Sequence, residues 1–131
     1  MIVLDTQALV WWTTKPELLS DRASKRIETE IKKGKLLISS ISILEIYLLV
    51  KKKKIGFTVD TDTWLETVER SSDFEFIPVD NRIAVRSVTL PDPFHKDPAD
   101  RIIVATAREL GATLVTSDSK IRKYSHVLTF W

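Results

Sequence analysis

Cysteine is absent from the 131-residue sequence, which removes disulfides, thiolate zinc centres and cysteine nucleophiles from consideration. Such a composition is compatible with a reducing cytosol, and a cytoplasmic location is expected. Glycine is scarce as well. Its three residues cannot write a phosphate-cradling P-loop or a dinucleotide fingerprint, so nucleotide cofactors held in those ways are not expected. No stretch approaches the roughly 18 uncharged apolar residues of a membrane span. The N-terminus, MIVLDTQALVWW, has no basic leader and carries Asp5 inside its apolar run, so it reads as a first strand and not as a signal peptide. A strong charge of one sign is missing too. Twenty Lys and Arg against 18 Asp and Glu leave a formal charge of +2. That is too mild to demand a nucleic-acid partner, yet it leaves room for local basic patches. The length suits one domain over residues 1–131 with its own core.

What is present is an alternation of short apolar runs and helical periodicities. Residues 1–5 read as an interior strand, followed by a short helix through Trp11 and Trp12 that Pro16 interrupts. Ser20 caps a charged helix from Asp21 to Lys33, with Ile27 and Ile31 on one face and Gly34 at its end. Lys35–Ser39 reads as a second strand and Ser42–Lys52 as a helix running into the lysines of 51–54. Thr61–Arg70 is helical, with Trp64, Leu65 and Val68 facing inward. Phe74–Val79 alternates in period two as a third strand, and Asn81–Val88 follows as a short helix. After the loop LPDPFHKDP, Ala99–Leu110 is the clearest helix, with Pro98 in its first turn and Gly111 just past its end. Thr113–Thr116 is a fourth strand, residues near Ser119–Lys123 a short helix, and Val127–Phe130 a possible fifth strand. This order predicts an α/β fold, three layers α/β/α around a mostly parallel sheet of four to five strands.

Four carboxylates stand where strands give way to helices: Asp5 closes IVLD, Glu45 follows LLISSIS, Asp100 opens DPADRIIVATA and Asp118 closes TLVTSD. In an open α/β sheet those points gather at the carboxyl edge, where ligands bind. Oxygen donors converging there suit a hard cation such as Mg²⁺ or Mn²⁺. Each acid also has a plainer explanation as a helix cap. Ser42 and Glu45 fit a capping box, Asp97 caps the Pro98 helix with Asp100 three residues on, and Asp5 and Asp118 each precede a helix. Against capping, Asp100 lies on the stripe of Ile103, Val104 and Ala107, and Glu45 sits above Leu48 and Leu49. A carboxylate on an apolar stripe is costly unless paired or metal-bound. The local syntax is not selective, because Asp80, after FEFIPV, satisfies it equally.

The ordered motifs make the selection. DTQALVWW at the start, SISILE with its S-x-x-E, and HKDPADRIIVATARELGATLVTSD in the last third together resemble a PIN-domain protein, and within that superfamily the VapC-type toxins of toxin–antitoxin pairs. The DP-x-DR-x-I-x-A-T-A run followed by G-x-x-L-x-T-x-D is the most specific part. The resemblance covers essentially the whole chain and places the family's four acids at Asp5, Glu45, Asp100 and Asp118. Asp97 is then an accessory acid, and Thr6 and Ser117 are small hydroxyl neighbours able to support metal or water. Asp80 matches no motif position. Gln7 is a modest departure, where relatives often carry histidine or a small polar residue.

The resemblance implies a metal-dependent endoribonuclease, with Asp5, Asp100 and Asp118 as the main ligands of Mg²⁺ or Mn²⁺. Glu45 would act as a ligand, directly or through water, or would orient the nucleophile. It implies RNA as substrate, a homodimer, no membrane, and a cognate antitoxin that inserts a segment at the acidic cleft and supplies any contact with DNA. Arg101 and Lys120 are candidate phosphate contacts, with Arg122, Lys123 and Lys51–Lys54 further basic positions for which a solvated face is the alternative. His95 and His126 lack ligand spacing and read as surface or loop residues. The four tryptophans read as core or dimer interface. Two rival functions remain: a catalytically silent PIN-fold module that binds protein or RNA, and an aspartate-based phosphatase with Asp5 as nucleophile. The haloacid-dehalogenase pattern for the latter wants an aspartate where Gln7 stands.

Overall fold

The computed structural model describes residues 1–131. Five strands, β1 (Ile2–Leu4), β2 (Leu36–Ser39), β3 (Phe74–Ile77), β4 (Thr113–Val115) and β5 (Thr129–Phe130), form one sheet in the order β3-β2-β1-β4-β5. Every neighbouring pair is parallel. β1 is central, with Val3 opposite both Leu37 of β2 and Leu114 of β4. Its three residues are wholly buried, as expected for a strand covered on both faces.

The pleat of β1 divides the interior in two. Ile2 and Leu4 point into one core with Leu36, Ile38 and Val115, while Val3 points into the other with Leu37 and Leu114. Over the first face lie α1 (Thr6–Thr14), α2 (Asp21–Lys33), α3 (Ile41–Lys51) and α4 (Thr61–Arg70), contributing Leu9, Ile27, Ile46 and Trp64. Over the second lie α5 (Asn81–Val88), α6 (Pro98–Leu110) and the single turn α7 (Ser119–Arg122), contributing Ile83, Ile103, Val104 and Ile121. A 3₁₀ turn at Pro16–Leu18 joins α1 to α2. The three layers and the parallel sheet are as the sequence implied. Trp64 is buried, and Trp11, Trp12 and Trp131 pack partly exposed against the first core.

Helix boundaries follow local chemistry. Ser20 accepts a bond from the Ala23 amide at 3.0 Å, Asp60 from Thr63 at 2.9 Å and Asp97 from Asp100 at 3.0 Å. Gly111 ends α6 with φ at +62°, a left-handed conformation that glycine adopts without penalty. At α3 the expected capping box does not form. Ser40 is the cap and makes no side-chain bond, and Ser42 is already inside the helix and buried. Its hydroxyl pairs with Thr6 at 2.9 Å, a tertiary contact that overrides the local motif. Leu48 likewise does not mark an inner stripe, being 44% exposed, as Leu44 is at 55%.

Candidate active site

Because all strands run the same way, their carboxyl ends share one edge. The chain builds β1, β2 and β3 outward in one direction and then returns to place β4 on the other side of β1. The β1/β4 boundary is therefore a topological switch point, where a crevice opens above the sheet. Asp5 follows β1 and Asp118 follows β4, so these two acids flank it. Asp80 follows β3 at the sheet margin, is exposed, and caps α5 through the Ile83 amide at 2.9 Å. Sheet order thus separates acids that the local syntax could not.

Asp5 is both a cap and a buried acid. Its amide extends the β1 ladder to the Val115 carbonyl at 3.1 Å, and its Oδ1 accepts from the Ala8 amide at 2.8 Å. Only 8% of the residue is exposed. Burial pushes its carboxyl up from 3.8 to about 6, and the charges of Asp118 and Glu45 push the same way against hydrogen bonds from the Thr116 side chain and the Ala8 amide. Asp118 caps α7, its Oδ1 accepting from Lys120 at 2.8 Å and Ile121 at 3.1 Å, while its own amide donates to the Thr116 hydroxyl at 3.1 Å.

Glu45 sits on α3, one turn in from the helix start. The Thr6 hydroxyl donates to Glu45 Oε1 at 2.5 Å and lies 2.9 Å from Ser42 Oγ, so α1 and α3 are tied together at the site. Burial raises the Glu45 carboxyl, the Thr6 bond lowers it, and the charge of Asp97 raises it. Thr6 thus positions Glu45. Ser117, half-buried between β4 and Asp118, makes no side-chain hydrogen bond.

Asp100 lies in the first turn of α6, half-buried above Ile103 and Val104 as its stripe predicted. Burial lifts its carboxyl from 3.8 to about 7, reinforced by Asp97, Glu45, Asp118 and Asp5 in that order. The causes of these shifts bring together five acids: Asp5, Glu45, Asp97, Asp100 and Asp118. Asp97 is exposed at the rim and holds the Asp100 amide.

The donor set is all oxygen, and mutually repelling carboxylates, buried at Asp5 and half-buried at Glu45 and Asp100, favour a compensating hard cation. The chemistry of these residues therefore fits Mg²⁺ or Mn²⁺. No three of these side chains stand close enough to form a ready-made ligand set around one ion.

Two neighbours differ from expectation. Arg101 was a candidate phosphate contact, but its guanidinium is committed to main-chain carbonyls: Ser87 at 2.8 Å, His95 at 3.1 Å, Val88 at 3.2 Å and Phe94 at 3.3 Å. It clamps the loop between α5 and α6. His95, which lacks ligand spacing in the sequence, is in that loop and half-buried, with Nε2 3.1 Å from Asp100 Oδ2. The contact is close but poorly aligned, so Nε2 has no hydrogen bond of good geometry. Its place five residues before Asp100, on a loop returning to the same helix, was the available sequence signal.

Two depressions flank the acids. Between α3 and the start of α6 lies an apolar groove lined by Ile41, Leu44, Leu48 and Leu49, with Glu45 and Asp97 at its border and Lys52 at its edge. On the other side, Phe94, His95 and Tyr124 meet Lys120 and Lys123. Lys51–Lys54 are all exposed.

Comparison with known proteins gives a consistent family. The PIN domain model matches residues 2–127. The chain is 33% identical to Ribonuclease VapC22 of Mycobacterium tuberculosis over 132 aligned positions, covering 99% of this chain and 98% of that protein. Among solved structures, VapBC2 from Rickettsia felis, bound to a promoter DNA fragment, superposes with a TM-score of 0.73 at 21% identity, covering 100% of this chain and 99% of the other. A toxin–antitoxin complex from Klebsiella pneumoniae gives 0.66 at 24% identity, covering 98% and 97%. At such identities the structural likenesses speak to the fold.

Proposed function

Because this chain belongs to the PIN-domain family, in its VapC-type branch, we propose that it is a metal-dependent endoribonuclease and the toxin of a toxin–antitoxin pair. The observation that carries the reading is the crowding at the switch point, where burial and neighbouring acids raise Asp5 to about 6 and Asp100 to about 7. Such strained ionisation is typical of functional sites.

Asp5, Asp100 and Asp118 would hold Mg²⁺ or Mn²⁺, with Glu45 bound directly or through water. A bound ion would supply an acidified water and would polarise a phosphoryl oxygen. In the hydrolysis, water oxygen bonds to phosphorus and one P–O ester bond breaks, leaving a phosphate end and a hydroxyl end. Thr6 fixes Glu45 through Oε1, which leaves Oε2 to orient the attacking water and take its proton. Asp97 and Ser117 support this arrangement from the rim. No covalent intermediate on a side chain is required.

The chain is proposed to act as one PIN-like domain over 1–131, as a homodimer in the cytoplasm. The partner would be an antitoxin whose segment enters beside the acids, a basic side chain competing for the carboxylates. DNA contact would come through that partner. No helix is long and apolar enough to cross a membrane. The test is cleavage of end-labelled single-stranded RNA with Mn²⁺ or Mg²⁺ and with EDTA, together with growth after induced expression. Growth arrest and metal-dependent cleavage lost in Asp100→Asn are expected. Arrest that persists in that variant would overturn the nuclease reading.

A silent binding module has one observation in its favour, the absence of a converged three-ligand set. RNA binding without cleavage in either metal would be its signature.

A further inference from the structure

We propose that the depression formed by Phe94, His95, Tyr124, Lys120 and Lys123 is a subsite for one nucleotide of single-stranded RNA next to the scissile bond, with the base against the aromatic wall and a phosphate at the lysines. The inference rests on the ribonuclease reading and adds to it where the strand lies.

Its walls come from two parts of the chain, the α5–α6 loop and α7 with the turn that follows. Phe94 and Tyr124 pack with ring centroids 4.5 Å apart, and Phe94 and His95 also at 4.5 Å. Tyr124, almost wholly buried, forms the floor and donates its hydroxyl to the Pro91 carbonyl at 2.6 Å. Arg101 pins the loop through the Phe94 and His95 carbonyls. The wall is thus held in place before any ligand arrives, which lowers the entropic cost of binding. With Pro93 completing the rim, the depression has a volume of about 360 Å³. That lies at the lower end of small-ligand sites, ~300 Å³ upward, a size that suits one nucleotide.

The depression adjoins the acids through two direct contacts. His95 Nε2 is 3.1 Å from Asp100 Oδ2, and the Lys120 amide bonds Asp118 Oδ1 at 2.8 Å. A strand whose scissile phosphate sits at the acids therefore passes its neighbouring nucleotide over this wall. Lys120 and Lys123 are exposed, and neither ammonium is within ion-pair distance of a carboxylate. Aromatic faces with free cations alongside are the usual means of holding single strands, because every base has a π face and every residue a phosphate. The opposite groove, apolar with one lysine at its edge, has no aromatic face.

The test uses the full chain with a fluorescently labelled single-stranded RNA, measuring anisotropy in EDTA and steady-state cleavage in Mn²⁺. Phe94→Leu keeps the apolar packing and removes the π face. Lys120→Ala/Lys123→Ala alters only exposed side chains, so loss of fold does not confuse its result. Each is expected to weaken RNA binding about tenfold and to raise KM far more than it lowers kcat. In the lysine variant the salt dependence of binding should flatten by about one to two phosphates' worth. Unchanged affinity and salt slope in the lysine variant, with cleavage still abolished by Asp100→Asn, would overturn the subsite and leave the nuclease reading standing. RNA binding that falls in both variants while the native chain cleaves nothing would sink the nuclease reading, and with it the place beside a scissile bond, while leaving this depression as a nucleotide-binding site.

Discussion

Asp5 and Asp80 occupy locally equivalent places. Each follows a parallel strand, each caps the next helix, and the capping bonds differ by 0.1 Å, 2.8 Å against 2.9 Å. Yet Asp5 is buried and faces the charges of Asp118 and Glu45, whereas Asp80 is exposed and is not among the acids that act on Asp5 or Asp100. The difference comes from sheet order: β1 is central and borders the switch point, whereas β3 is a margin. A strand-end carboxylate becomes part of a site through its neighbours across the sheet, which the local sequence does not encode.

The largest effect should come from exchanging the same atom in both places. Asp5→Asn is expected to lower metal-dependent RNA cleavage about a thousandfold or more, while Asp80→Asn leaves the rate unchanged because asparagine caps a helix as well as aspartate. Equal losses in a gel-based cleavage assay would break the comparison.

Next is Thr6→Val, which keeps the shape and removes the hydroxyl that ties Glu45 to α1. Nothing comparable supports Asp80. Cleavage should fall about tenfold to a hundredfold, the usual cost of losing a group that orients a ligand. The melting temperature should move little by comparison.

The third expectation concerns pH in metal-free protein. Asp5, facing Asp118 and Glu45, and Asp100, facing Asp97, Glu45, Asp118, Asp5 and His95, hold their protons more tightly folded than at the ordinary 3.8. Their contribution to stability is therefore full below about pH 4 and is lost as pH rises to about 6 for Asp5 and about 7 for Asp100. Thermal melts in EDTA should show stability declining across that window, with Mn²⁺ restoring it at pH 7 by binding the folded state. Asp5→Asn should flatten its share of the slope. A metal-free melting temperature that climbs from pH 4 to pH 7 in the native chain and is unaffected by Asp5→Asn would contradict the burial argument.

Smallest is Asp80→Ala, expected to cost ~1 kcal/mol of stability by denaturant unfolding and nothing in cleavage.

Much of the architecture could be read from local rules. Ser20 with Gly34, Asp80, and Asp97-Pro98 with Gly111 mark helix ends within a residue or so of their observed places, because caps act over one turn. The candidate acids were also named, although motif order and not geometry chose them. What was missed has a common cause. Ser42 joins Thr6 across 36 positions, so its capping-box appearance misled. Arg101 serves backbone carbonyls, acceptors that every residue carries and no motif records. Leu48 is apolar but exposed and Leu49 only half-buried, so the stripe under Glu45 is not a fully inner one. His95 reaches Asp100 from a loop whose Phe94 and His95 carbonyls are held by Arg101, a contact across the fold.

The central place of β1 also has a meaning in time. Asp5 is synthesised long before Asp118, and the two flank the same boundary. β1 stays without its β4 neighbour until Thr113–Val115 has been made, and non-local parallel pairing of this kind forms late. Between the synthesis of Asp100 and that of Asp118, a nascent chain thus carries Asp5, Glu45 and Asp100 without the fourth acid. For a protein proposed to cut RNA, the fold itself postpones completion of the cleft until β4 and Asp118 have been made.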